Sequence, residues 1–136
     1  MEKKLKHLEM IQAVISRMAG NSFLLKGWSV TLAAAVIALA ANKDSHALLT
    51  LIALLPVVMF WLLDGYYLHQ ERLFRKLYDH VRLQDDDAVD FSMDTSSFLD
   101  DVDTVSQVRM SDTLKYFYLP VIGLIVIACI FLLISR

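Results

Sequence analysis

The sequence is poor in the residues that build disulfide frameworks and thiolate metal sites. Its 136 residues include a single cysteine. Because that cysteine, Cys129, has no partner in the chain, an internal disulfide framework and a paired-cysteine metal site are both excluded. Its position inside a long apolar run predicts a small packing residue.

Signatures of catalysis are also missing. The chain has no phosphate-binding glycine loop, no nucleophile elbow and no His-Glu-x-x-His motif. The four histidines are scattered, at His7, His46, His69 and His80. His69 and His80 share one predicted helix, but their spacing does not bring them together, and we expect both to be solvated or interfacial. The sequence therefore predicts neither an enzyme nor a bound metal or cofactor.

Apolar residues are present in excess. They make up 57% of the chain, and the mean hydropathy is +0.50, above the usual range of a soluble domain. They form three runs, at residues 23–41, 47–65 and 117–135, each near the ~20 residues that cross a ~30 Å hydrocarbon layer. The runs lack the alternation of barrel strands. We therefore predict an all-α protein with three transmembrane helices in contact with membrane lipids.

The basic residues predict an orientation. Of thirteen lysines and arginines, only Lys43 and Arg136 lie outside the segments that precede or open the first run or separate the second from the third. The aromatic residues near the run ends lie on the same side: Trp28, Trp61, Tyr66, Tyr67, Tyr116 and Tyr118. Both patterns predict that the N-terminus lies in the cytosol and the C-terminus outside.

A signal-peptidase site is the alternative explanation of the first run. Ala38, Leu39 and Ala40 have the small-residue pattern of such a site. The charged segment before the run exceeds twenty residues, which is too long for an ordinary leader. We therefore expect the first span to remain in the mature protein.

Residues 1–22 predict an amphipathic helix. Their apolar residues recur at steps of three and four: Leu5, Leu8, Ile11, Ile15 and Met18. Such a helix can lie on the inner leaflet or pack against other helices, and the continuous apolar seam favours packing. Residues 20–22, Gly-Asn-Ser, predict a helix stop and a new N-cap, and thus a break before the first span.

The second span is predicted to continue into the cytosol as a helix over residues 66–82, which contain neither glycine nor proline. Pro56 predicts a kink in mid-span, and Gly65 a second flexible point. The acidic segment, residues 83–115, is expected to form a small cytosolic cap. The weak strand pattern at residues 88–93 allows a small hairpin or an irregular cap, and a short helix is expected near the end of the segment. Asp85 to Asp87 lack the calcium-loop pattern and predict a solvated acidic surface.

Two charged residues near the span ends are candidates for a pore mouth, Lys26 in the first run and Asp64 in the second. Near the interface such charges cost less than the ~2.5 to 3.5 kcal/mol expected at a helix centre. They can simply snorkel or pair with each other. In an assembly of several copies, Asp64 can instead ring a cation pathway. Because three helices cannot enclose a channel, any pore must be oligomeric.

A basic set follows the second span, comprising Arg72, Arg75, Lys76 and Arg82. Helical spacing places most of them along one side of the helix. They can bind phosphate or an anionic oligonucleotide, or they can satisfy the positive-inside bias and pair with neighbouring acids. Spacing alone favours the second explanation.

Several segments resemble a family of small bacterial three-span proteins. They are HLEMIQ at residues 7–12, SRMA at 16–19, NSFLLKGW at 21–28, QERLFRKLY at 70–78 and DFSMD at 90–94. The family comprises the membrane effectors of the Hailong antiphage defence system, which are encoded beside a nucleotidyltransferase. The likeness covers roughly the first 95 residues, beyond which only a third span lies in the expected place.

This resemblance implies an oligomeric ion channel in the bacterial inner membrane. A single-stranded DNA product of the partner nucleotidyltransferase would keep it closed, and loss of that product during infection would open it and depolarise the host. The basic set then supplies the candidates for ligand contact, although no binding motif carries over from the family. The alternative is a non-conducting membrane adaptor that anchors a cytosolic partner through the N-terminal helix and the acidic segment.

Overall fold

The computed structural model covers residues 1–136 and contains helices but no strand. Its α-helices are α1 (Glu2–Ala40), α2 (Leu54–Arg82), α3 (Val105–Arg109) and α4 (Asp112–Ile134), and 3₁₀ helices span Ala47–Ala53, Asp86–Ala88 and Ser96–Asp101. Three helical stretches are long and apolar enough to cross a membrane, namely Glu2–Ala40, Ala47–Arg82 and Asp112–Ile134. The predicted all-α class with three apolar spanning helices is therefore confirmed.

Helix α1 is one uninterrupted helix of 39 residues, about 58 Å long at 1.5 Å per residue. The break predicted at residues 20–22 is wrong, and the amphipathic segment and the first span are one element. Ser22 does not cap a new helix, because its hydroxyl donates a hydrogen bond to Asp64 of α2. Packing of α1 along α2 outweighs the roughly 1 kcal/mol that a glycine costs inside a helix.

The second spanning stretch changes helix type near its start. Residues Ala47–Ala53 are 3₁₀-helical, and α2 begins at Leu54, so Pro56 lies in the first turn of α2. A first-turn proline costs little, because its missing N–H has no partner within the helix in any case. The kink expected at Pro56 is thus replaced by the change from 3₁₀ to α-helix. Helix α2 continues through Gly65 to Arg82 without interruption.

Two apolar cores hold the helices together. The first lies among the spanning helices and comprises Ala33, Ala53, Val57, Val108, Leu114, Tyr118 and Ile125. The second joins the first half of α1 to the end of α2, through Ile11, Ile15, Leu77 and Val81. Ile11 and Ile15 are 0% and 2% exposed, so helix packing is the role of the apolar seam of residues 1–22, as its pattern favoured.

The acidic segment packs against this second core instead of forming a strand. Met93 and Phe98 cover the core, the ring Nε2 of His7 donates a hydrogen bond to the Ser92 carbonyl at 2.9 Å, and the Asp86 carboxylate accepts one from the Lys4 N–H at 3.1 Å. The Ser92 carbonyl therefore bonds to α1 and not to another strand. Residues 88–93 form no strand, so the hairpin alternative is wrong and the irregular one describes this segment.

Candidate functional site

The two pore-mouth candidates form an ion pair with each other. The Lys26 Nζ of α1 lies 2.6 Å from the Asp64 Oδ2 of α2. The Asp64 side chain is 0% exposed and that of Lys26 is 21% exposed. Helix packing therefore brings together two charges that are 38 residues apart in the sequence, and both are withdrawn from the surface.

Two hydroxyl groups also donate hydrogen bonds to the Asp64 carboxylate. Tyr118 of α4 donates to Asp64 Oδ2 at 2.8 Å, and Ser22 of α1 donates to Asp64 Oδ1. The Lys26 ammonium also donates to Ser22 Oγ at 2.8 Å. We call these four residues, Ser22, Lys26, Asp64 and Tyr118, the Asp64 cluster. It is the polar junction of α1, α2 and α4, near the ends of all three apolar runs.

Aromatic rings shield this cluster. The Trp61 ring stacks on Tyr118, with 5.7 Å between centroids and 5° between planes. Phe117 meets Tyr118 edge-on at 4.9 Å, and the Lys26 ammonium lies 5.9 Å from the Phe117 centroid. Away from water, an ion pair is screened weakly, and loss of one partner leaves an uncompensated buried charge. The Asp64 cluster therefore holds α1, α2 and α4 together through an ion pair and hydrogen bonds.

The sequence identified half of the Asp64 cluster. Ser22 was expected to cap a helix, and Tyr118 was counted only among the interfacial aromatics. One pattern points to Ser22: it precedes Lys26 by four residues, and Ser29 follows three later, so the three polar residues share one face of α1. Tyr118 has no comparable pattern, because its pairing with Asp64 spans 54 residues and depends on how α4 packs.

The basic set is divided by the structure. Arg72, Arg75 and Lys76 line a shallow depression of about 330 Å³ together with Asp101, Val102 and Asp103. We call this surface the basic depression. Arg82 lies elsewhere and pairs with Asp79 at 3.1 Å. Three of the four ligand-contact candidates therefore share one site, and the fourth does not line it.

Acidic side chains already neutralise part of the basic depression. Arg72 Nη1 lies 3.6 Å from Asp103 Oδ2, and Arg75 pairs with Glu71 at 2.9 Å. Lys76 is exposed and has no ion-pair partner. Exposed pairs of this kind contribute about 0 to 1 kcal/mol. A multivalent anion can therefore displace Asp103 from Arg72 at small cost.

His69 lies one helical turn before Arg72 and is 7% exposed. Of the two expected placements, solvated or interfacial, the solvated one is wrong, because α2 turns this side chain inward. Burial, and then the positive charge of Arg72, lowers the pKa of His69 from its ordinary value of 6.5. A charged imidazole is disfavoured there, so His69 is neutral at neutral pH.

A second, polar cavity of about 430 Å³ lies beside the acidic segment. It brings together His7 and His80, which the sequence leaves scattered, along with Asp90 and Asp94. His80 is exposed, as expected, whereas His7 is fully buried and its Nδ1 has no hydrogen-bond partner. No group of three or more histidine, cysteine or acidic residues is placed to hold a metal ion.

No protein-family model, curated protein or solved structure matched the chain.

Proposed function

We propose that the protein is the channel-forming membrane effector of a bacterial antiphage defence system of the Hailong type. Several copies assemble in the inner membrane around an ion pathway, and a single-stranded DNA oligomer made by a neighbouring nucleotidyltransferase holds it closed. Loss of the DNA opens the pathway and depolarises the cell. The resemblance of five segments within residues 7–94 supports this assignment.

One structural observation supports a gating mechanism. Asp64 of the Asp64 cluster and Arg72 of the basic depression both lie on the uninterrupted helix α2. The two residues are eight positions apart, which is about 12 Å along a helix. A displacement of α2 at the depression is therefore transmitted to the Asp64 cluster by a rigid element.

The acidic segment connects the depression to the third span. Asp103 pairs with Arg72, and it lies two residues before α3 and nine before α4. In the proposed mechanism, DNA phosphates replace Asp103 on Arg72 and release the acidic segment from α2. Because α3 and α4 follow Asp103 along the chain, a movement of the acidic segment on α2 also moves the start of α4 and acts on the Tyr118 to Asp64 contact.

The buried Asp64 cluster also refines the pore-mouth hypothesis. Within one chain, Asp64 faces neighbouring helices and has no exposed surface. It therefore lines an ion path only after Lys26 or Tyr118 moves away. We propose that Lys26 and Asp64 form the gate region, with the N-terminus and the basic depression on the cytosolic side, the C-terminus outside and the acidic segment as a cytosolic cap.

The test is ion flux from liposomes that contain only the purified protein, with and without short single-stranded DNA. We expect flux that the DNA suppresses. Replacing Arg72, Arg75 and Lys76 together by glutamine should preserve the flux and abolish its suppression. The matched control replaces Lys3, Lys6 and Arg17, which lie outside the depression, by glutamine and should remain suppressible.

Two other outcomes would refute parts of the proposal. Flux that DNA leaves unchanged refutes ligand gating. No flux from a well-folded oligomer in either condition refutes the channel itself and favours the non-conducting adaptor, which should then form a stoichiometric complex with a cytosolic protein.

A further inference from the structure

Arg109 of α3 carries a cationic group without a partner. Its Nε is buried and makes no hydrogen bond, and the residue takes part in none of the ion pairs. By contrast, Arg72, Arg75 and Arg82 pair with carboxylates. A partly buried guanidinium without an acceptor is costly, so this position points to an anionic ligand.

Two contacts with α2 fix the position of Arg109. The Trp61 indole donates a hydrogen bond to the Arg109 carbonyl at 2.8 Å. At Gly65, a Cβ atom would lie 2.5 Å from Arg109 Cγ, so the aliphatic stem of Arg109 rests directly on the glycine backbone. Arg109 is thereby held against α2 at the end of the second apolar run.

An apolar groove extends from this point along α2. It has a volume of about 440 Å³ and is lined by Met59, Phe60, Leu62, Leu63, Tyr66 and Arg109. Met59, Leu62 and Leu63 are exposed, within a helix that is long and apolar enough to cross a membrane. Because Arg109 packs at Gly65, the charge lies at the Tyr66 end of the groove, and Met59 lies about 10 Å further into the span.

We propose that this groove binds an anionic phospholipid. One acyl chain lies along Met59, Leu62 and Leu63, and the phosphate accepts hydrogen bonds from the Arg109 guanidinium. The guanidinium favours a phosphate group, because it can bind phosphate in a bidentate manner. The apolar residues that extend from it along α2 favour an acyl chain beside that phosphate. Tyr66 lies at the boundary, where amphipathic rings meet lipid headgroups. The site does not depend on the channel proposal.

The site has a structural consequence for the connection between α2 and α4. Arg109 lies three residues before the start of α4, so a lipid bound to it ties the start of the third span to the side of the second. The lipid would therefore stabilise the same helix pair that the contact between Tyr118 and Asp64 joins.

Quenching of tryptophan fluorescence by brominated lipids tests the proposal. The chain has two tryptophans, and the Trp28→Phe variant leaves Trp61, next to Arg109, as the only reporter. In mixed vesicles, brominated phosphatidylglycerol should occupy the groove about fivefold more readily than brominated phosphatidylcholine. Arg109→Gln should remove this preference, and Gly65→Ala should weaken it by displacing the arginine while keeping its charge.

Arg17→Gln is the matched control, because Arg17 is exposed and its loss changes the net charge equally. It should retain the preference for the anionic lipid. Equal preference in the wild-type and Arg109→Gln proteins, or equal loss in Arg17→Gln, would overturn the proposal. Trp61 fluorescence that neither brominated lipid quenches would also overturn it, because Trp61 bonds to the Arg109 carbonyl and a lipid held by Arg109 would lie within quenching range. Arg109→Gln adds no atom at position 65, where Gly65→Ala introduces a clash. Its result therefore stands even if Gly65→Ala fails to fold.

Discussion

Lys26 and Asp64 form an ion pair of 2.6 Å in which the carboxylate has no exposed surface. Lys26 belongs to α1 and Asp64 to α2. Without this pairing, each of the two apolar runs would carry one uncompensated charge. Separation of these helices exposes an isolated charge to an apolar environment. The pair therefore stabilises one arrangement of the helices far more than it stabilises either helix by itself.

The first prediction concerns the energy of this pair. Asp64→Asn or Lys26→Met should each lower the free energy of unfolding by about 3 to 5 kcal/mol, because one buried charge loses its partner. Reversible unfolding in mixed micelles measures the loss. The double variant with Lys26→Met and Asp64→Asn should be much more stable than the sum of the two single effects predicts. Additive losses would contradict a direct interaction.

The second prediction isolates the contribution of α4. Tyr118→Phe removes only the hydroxyl that donates to Asp64 at 2.8 Å and should cost about 1.5 to 3 kcal/mol, as expected for a hydrogen bond to a charged group. Tyr116→Phe is the control, since Tyr116 is 70% exposed and lies on the same helix. Equal effects of the two substitutions in the same unfolding assay would rule out the special role of Tyr118.

A third prediction tests the continuity of α1. No atom lies within 4 Å of a Cβ built at Gly20, so Gly20→Ala should stabilise the protein by about 0.4 to 1 kcal/mol. Gly65→Ala should destabilise it, because its Cβ would collide with Arg109. Thermal unfolding followed by circular dichroism compares the two. A loss of stability in Gly20→Ala would indicate that the helix does break there.

The fourth prediction is a pH dependence due to His69. Burial, and then the charge of Arg72, lowers its pKa in the folded chain below 6.5. At a pH between the folded and the unfolded pKa of His69, the unfolded chain binds a proton that the folded chain excludes. The contribution of neutral His69 to stability is therefore complete above pH 6.5 and declines as the pH falls toward the folded pKa.

Unfolding free energies measured from about pH 7.5 to about pH 5 should reveal this decline. His69→Gln should make the decline shallower. An identical slope in wild-type protein and His69→Gln would show that His69 does not contribute to it.

The fifth prediction rests on the proposed function. Asp103 occupies Arg72, so it competes with an anionic ligand for the basic depression. Asp103→Asn should tighten the binding of short single-stranded DNA about two- to fivefold, the equivalent of one exposed ion pair. Asp79→Asn changes the net charge equally but lies with Arg82 outside the depression, and it should tighten binding less. Fluorescence anisotropy at fixed salt measures both affinities.

The parts of the fold that follow from local sequence were predictable. Three apolar runs of the right length determine three spanning helices, and the absence of glycine and proline from residues 66–82 leaves α2 unbroken as far as Arg82. Gly20 shows the limit of this reasoning, because local propensity indicates a helix stop there. The contacts of α1 with α2 decide the outcome, and these depend on residues distant in sequence.

The candidate site was predictable as a set of residues but not as a geometry. Charge and position identify Lys26 and Asp64, yet their pairing depends on the rotation of α1 relative to α2, which hydrophobic pattern alone does not determine. The same holds for Arg72 and Asp103, since the acidic segment has too little periodicity to indicate where it folds back. In the sequence, Arg109 is one of thirteen basic residues with nothing to distinguish it, because its isolation from acids is a property of the packed structure.

The unbroken course of α1 also has a mechanical consequence. Lys26 fixes this rod to α2 at a point about 36 Å from its first residue, Glu2, and about 21 Å from its last, Ala40. The second core also holds the longer arm of this rod to α2 through Ile11 and Ile15, so α1 is attached to α2 on the N-terminal side of Lys26 as well as at Lys26 itself. A displacement of the first turns of α1 therefore moves α1 and α2 together instead of turning α1 about a single point.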